Sequence, residues 1–119
     1  MDELKRIRNA YSHFEESDNY KKLHTPFGLS SYYQDNLKRK LIFIFRKKGF
    51  LTLNELKVLD VGIGKGSNVP DFFKFGINFK SLFGLDILFD RLRFLKNNYK
   101  EILVFNCDAQ KVSFKNKSF

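Results

Sequence analysis

The chain has little of several things, and each scarcity excludes something. It carries one cysteine, Cys107, in 119 residues. No internal disulfide can form, and a reducing, cytoplasmic setting is expected. Cys107 has Asp108 beside it and no histidine nearby in sequence to activate it, so it reads as a small packed side chain rather than a nucleophile. No apolar run approaches the roughly 18 residues a membrane helix needs, and Leu41-Ile42-Phe43-Ile44-Phe45 falls far short. No charged-then-apolar leader opens the chain, so neither a membrane span nor a signal peptide is expected. Internal repeats and low-complexity linkers are lacking as well. The length suits at most one domain, burying about two-thirds of its unfolded surface.

Acids are also few. There are 13 Asp and Glu against 22 Lys and Arg, giving a formal charge of +9 and a pI near 9.7. That balance favours anionic partners, RNA among them. The bases are nevertheless spread along the chain, in Lys38-Arg39-Lys40, Arg46-Lys47-Lys48, Arg91 to Lys96 and Lys111 to Lys117. Such runs are ordinarily solvated helix faces. A wealth of Lys, Asn, Ile and Phe is also what an AT-rich genome produces without selection for binding. No metal site is expected.

What is present centres on residues 58 to 66, Val-Leu-Asp-Val-Gly-Ile-Gly-Lys-Gly. A short apolar run reads as a strand, followed by glycines at alternate positions, Gly62, Gly64 and Gly66. Without Cβ these admit φ > 0 and a close ligand. Ser67-Asn68-Val69-Pro70-Asp71 then reads as a helix start, with a polar cap, an early proline and a first-turn acid. Strand, loop and helix start form half of a nucleotide-type site. The dinucleotide fingerprint would need a glycine where Ser67 stands, which disfavours an NAD-type oxidoreductase. The Walker loop would need one at Leu59 and Ser or Thr at Gly66.

The remaining pattern, Asp60-x-Gly62-x-Gly64-x-Gly66, resembles the first motif of the class I S-adenosylmethionine-dependent methyltransferases. Lys80 to Ile87 reads as a second strand ending in Asp86, and Ile102 to Ala109 as a third closing on Asp108-Ala109. The resemblance implies a cofactor site built from Asp60, Gly62, Gly64, Gly66, Asp86, Ile87, Asp108 and Ala109. In it Asp86 accepts the ribose hydroxyls, and Asp108 with the following N–H meets the adenine. Asp60 would be held by loop N–H groups and serve the site indirectly. Each position has a plainer reading. The glycines form a tight turn, Asp86 caps the next helix in competition with Phe89-Asp90, and Asp108 is a solvated turn acid.

Along the chain, residues 3–15 suggest a helix with Leu4, Ile7 and Tyr11 on one face. The polar stretch Glu15 to Leu29, with Pro26 and Gly28, reads as a loop. Ser30 or Ser31 is expected to cap a helix carrying Tyr33, Leu37, Leu41, Ile44 and Phe45, closed by Lys47, Lys48 and Gly49. Thereafter come a strand at Leu56–Val61, a helix at Asn68–Phe75 stopped by Gly76, and a strand at Ser81–Asp86. A helix at Phe89–Tyr99 with Leu88, Leu92, Leu95 and Tyr99 on one face leads to a strand at Ile102–Asn106. Apolar strands without a polar alternate imply cover on both sheet faces. Most phenylalanines are expected to be core or sheet-covering residues.

The fold expected is therefore α/β and Rossmann-like: a partial doubly wound parallel sheet, strand order 3-2-1, preceded by N-terminal helices. Residues 1–55 form the helical segment, and residues 56–119 the S-adenosylmethionine-binding half of a methyltransferase domain. Residues 111–119 look like the approach to a fourth strand, so the domain reads as truncated before it. On that reading the chain alone is inactive, and the apolar edge at Leu56–Val61 invites self-association or a complementing chain. The methyl acceptor is unspecified and no residue stands out as a catalytic base. Tyr11, His24, Tyr32 and Tyr33 are lid candidates against plainer surface roles. The rival expectation is a non-catalytic basic α/β module that binds nucleic acid or a partner chain.

Overall fold

The computed structural model describes residues 2–119. The chain forms two compact units, the first ending at Leu51 and the second running Thr52–Phe119.

The first unit is helical. Helix α1, Glu3–Glu16, starts at Asp2, whose side chain accepts the Leu4 N–H, and Glu3 pairs with Arg6 one turn on. The stretch expected to be a loop contains a second helix, α2, Asp18–Leu23. Its polar residues are helix signals rather than loop residues. Ser17 Oγ accepts the Tyr20 N–H at 3.1 Å, Asp18 sits in the first turn, and Lys21 and Lys22 sit in the last. Helix α3, Leu29–Lys47, begins at Gly28 rather than at Ser30 or Ser31. Ser31 Oγ donates to the Thr25 carbonyl instead, and a Cβ on Gly28 would stand 2.2 Å from the Leu23 carbonyl oxygen. Only glycine lets the chain turn that close to the end of α2. Gly49, at φ +83°, closes α3 as expected. No helix among the described residues is long and apolar enough to cross a membrane.

The second unit is α/β. Strands β1 (Val58–Val61), β2 (Leu82–Asp86) and β3 (Leu103–Asn106) form a parallel sheet in the order β1-β2-β3, which is 3-2-1 read from the other edge. Helix α4, Val69–Lys74, joins β1 to β2, and α5, Phe89–Asn98, joins β2 to β3. Gly76 ends the α4 segment at φ +90°. The expected apolar face of α5 is correct: Leu88, Leu92 and Leu95 are buried. They join Leu82, Leu85, Val69, Ile63 and Ile102 in the core, each burial stabilising by about 1.5–3 kcal/mol.

Two expectations fail here, the cover of the sheet and the burial of the phenylalanines. Cover on both faces holds for β2 alone, since Val61 of β1 and Leu103 of β3 are 58% and 54% exposed. Both strands are edges, and no further strand pairs with their outer sides among the described residues. Residues 112–119 carry no strand. They follow a single 3₁₀ turn at Ala109–Lys111 and bring Phe114 and Phe119 edge-on to Phe105 and Phe83, with ring centroids 5.2–5.3 Å apart. Finally, none of the fifteen phenylalanines is fully buried. The core is built from leucine, isoleucine and valine, and the rings sit around its margin.

Candidate functional site

In a parallel sheet every strand delivers its carboxyl end to the same edge. The pairings Asp60 with Gly84 and Asp86 with Asn106 therefore bring the glycine loop, the end of β2 and the end of β3 together. The loop takes the conformation its glycines permit, with φ +77° at Gly62, +56° at Gly64 and +88° at Gly66. The N–H groups of Gly62 and Ile63 both donate to the Leu85 carbonyl, and Gly66 N–H donates to that of Ile63.

The three glycines do different work. A Cβ on Gly62 would meet nothing within 4 Å, so the backbone there is open to approach. At Gly64 it would come within 3.0 Å of Arg91 Nη2, so the guanidinium lies against the loop. At Gly66 it would press on Leu95 Cδ1 at 3.1 Å and Val69 Cγ2 at 3.3 Å, which makes this glycine a packing residue between loop and helices.

Asp86 is 8% exposed and both its oxygens are engaged. Oδ2 accepts the Gly64 N–H at 2.9 Å, and Oδ1 accepts the Leu88 N–H at 2.8 Å at the start of α5. The carboxylate thus ties loop to helix, and the helix-cap reading holds in part. Asp60 departs from expectation. No loop N–H reaches its Oδ2, which is buried without a hydrogen-bond partner. Burial, and then the nearby Asp86 charge, push its carboxyl above the ordinary range. The loop donors that were expected to hold Asp60 are taken by Leu85, Ile63 and Asp86.

The remaining positions lie beyond β3. Asp108 is half-buried, and its Oδ1 accepts the Gln110 N–H at 2.9 Å, capping the 3₁₀ turn as a turn acid does. Ala109 is exposed and Ile87 half-buried. Two residues were missed by sequence reasoning. Asn106 donates through Nδ2 to the carbonyls of both Asp86 and Ile87 at 3.0 Å, locking β3 to the end of β2. Gly84 is the other, since a Cβ there would stand 2.5 Å from Ile63 Cδ1. A glycine inside an apolar strand was its signal. Cys107 is half-buried with its N–H on the Asp86 carbonyl, a packed position as expected. No group of three or more candidate metal ligands occurs among the described residues.

No family model matches the chain, and neither a curated protein nor a solved structure matches it.

Proposed function

We propose that this chain carries the cofactor-binding half of a Rossmann-like, class I S-adenosylmethionine-dependent methyltransferase that works in the cytoplasm. The observation that carries the reading is the Gly64 N–H to Asp86 Oδ2 bond. It joins the two most family-like elements, the glycine loop and the acid ending the second strand, at the carboxyl edge of a parallel sheet. The buried, partnerless Oδ2 of Asp60 adds to it, because an unfilled acceptor beside an open glycine suits a ligand that brings hydrogen-bond donors. S-adenosylmethionine brings an ammonium group and two ribose hydroxyls, and when bound supplies an electrophilic methyl group.

Residue by residue, Gly62 leaves room for the ligand and Asp60 Oδ2 receives a donor from it. Asp86 first shapes the loop and offers its remaining lone pairs to the ribose. Asp108, Ala109 and Ile87 line the far end beside β3. Methyl transfer needs chiefly in-line positioning of acceptor and methyl, so a site without acid–base machinery is compatible with it. The exposed edge of β1 supports pairing with a second chain. Titration calorimetry with S-adenosylhomocysteine tests the reading. Binding by the wild type, weakened in Asp60→Asn and lost in Asp86→Ala, is the expected result. A folded wild type that takes up none would end it.

A further inference from the structure

We infer that the outward face of α3 is a binding surface for single-stranded nucleic acid. The inference rests on α3 alone and stands whether or not the glycine loop holds a cofactor. At 100° per residue, Tyr32, Arg39, Phe43 and Arg46 fall in one strip of the helix. Phe43 has Arg39 one turn before it and Arg46 one turn after it on the same face. Tyr32 and Phe43 are 70% and 67% exposed, far more than a packed aromatic would be. The half-buried apolar residues of this helix, Leu41 and Phe45, lie on its opposite side, and half-buried Asn36 borders the strip. Two open recesses flank the Phe43 ring, and Arg39 lines both.

Charge complementarity decides what the strip fits. Lys40 and Lys47 border it and no carboxylate pairs with Arg39, Lys40, Arg46 or Lys47 among the described residues. The one acid of α3, Asp35, lies by Lys38 at the margin. An apolar partner groove is a poor fit, since docking would strip water from two arginines in mid-strip. A membrane surface is a poor fit too, because interfacial helices segregate their apolar and charged faces, whereas here rings and guanidinium groups share one. Rings and arginines sharing roughly 20 Å of helix suit a chain that alternates flat bases with phosphates. The bases must be unpaired, because in a duplex their faces are already stacked on each other.

Fluorescence anisotropy of the full chain with a labelled oligouridylate of about 16 nucleotides tests this. Binding should weaken about tenfold in Phe43→Ala and again in Tyr32→Ala. Arg39→Gln with Arg46→Gln should flatten the plot of log affinity against log salt by about 1.4, two single-strand phosphate contacts. All these side chains are exposed, so circular dichroism should be unchanged. Arg93→Gln with Lys111→Gln removes equal charge elsewhere and should cost much less. The inference is overturned if that control pair weakens binding as much as the α3 pair does. Equal affinity for a duplex with no effect of Phe43→Ala overturns it as well. So does binding to phosphatidylserine vesicles without binding to the oligonucleotide.

Discussion

Gly64 and Asp86 stand far apart in sequence, yet the N–H of one lies 2.9 Å from the Oδ2 of the other. Because Asp86 Oδ1 also holds the Leu88 N–H, a single carboxylate sets both the glycine loop and the first turn of α5. Asp86→Ala leaves two donors near the core unpaired, and should cost about 3 kcal/mol in a urea melt of the wild type against the variant. A variant as stable as the wild type would show that the loop holds its shape unaided.

The raised Asp60 carboxyl makes stability depend on pH in a defined direction. A group whose folded value lies above its unfolded one favours folding fully below the unfolded value, near 3.8, and loses that contribution as pH rises through the folded value. At neutral pH Asp60 is therefore a net cost. Asp60→Asn should be more stable than the wild type at pH 7 and lose that advantage on acidification. Denaturant midpoints collected across this range check it, and a constant difference would contradict the assignment.

The glycines of the loop should separate cleanly by substitution. Gly62→Ala meets only backbone strain and should cost about 1 kcal/mol. Gly66→Ala adds contact with Leu95 and Val69 to the same strain and should cost about 3 kcal/mol. Thermal melts of the two variants side by side provide the comparison. The reverse order would mean that Leu95 and Val69 give way freely.

Ile63 occupies the space a side chain at position 84 would take. Gly84→Ala should cost about 2 kcal/mol by displacing it. Ile63→Ala removes the obstruction at its own cavity cost. A double-mutant cycle should show the two changes together costing less than their sum, with a coupling of about 1 kcal/mol. Strict additivity would place Ile63 elsewhere.

Much of this arrangement was legible from local pattern. The strand–loop–helix order of the second unit followed from apolar runs punctuated by Gly62, Gly66 and Gly76, and the buried stripe of α5 from the spacing of Leu88, Leu92 and Leu95. The hydrogen-bond partners were not legible. Whether loop donors go to Asp60 or to Asp86 depends on register between β1 and β2, and nothing local encodes it. Helix α2 was missed because its N-cap, Ser17, and its first residue, Asp18, are residue types that also make loops. The phenylalanines misled for a related reason. Hydrophobicity says that a ring prefers to leave water, not that a sheet with two open edges has room to bury it.

The helical unit buries none of its described side chains fully. Its order rests on backbone ladders, caps and neighbouring pairs, without a fully buried core that must separate as a unit, and helices as short as α1 and α2 are marginal by themselves in water. The sheet unit, by contrast, closes around Leu82, Leu85, Leu95 and Ile102, which have to separate together. On heating, the chain should lose helicity gradually over residues 3–47 and the β strands in one sharp transition. Amide exchange should likewise be rapid in α1 and α2 and slowest in β2, the one strand paired on both sides.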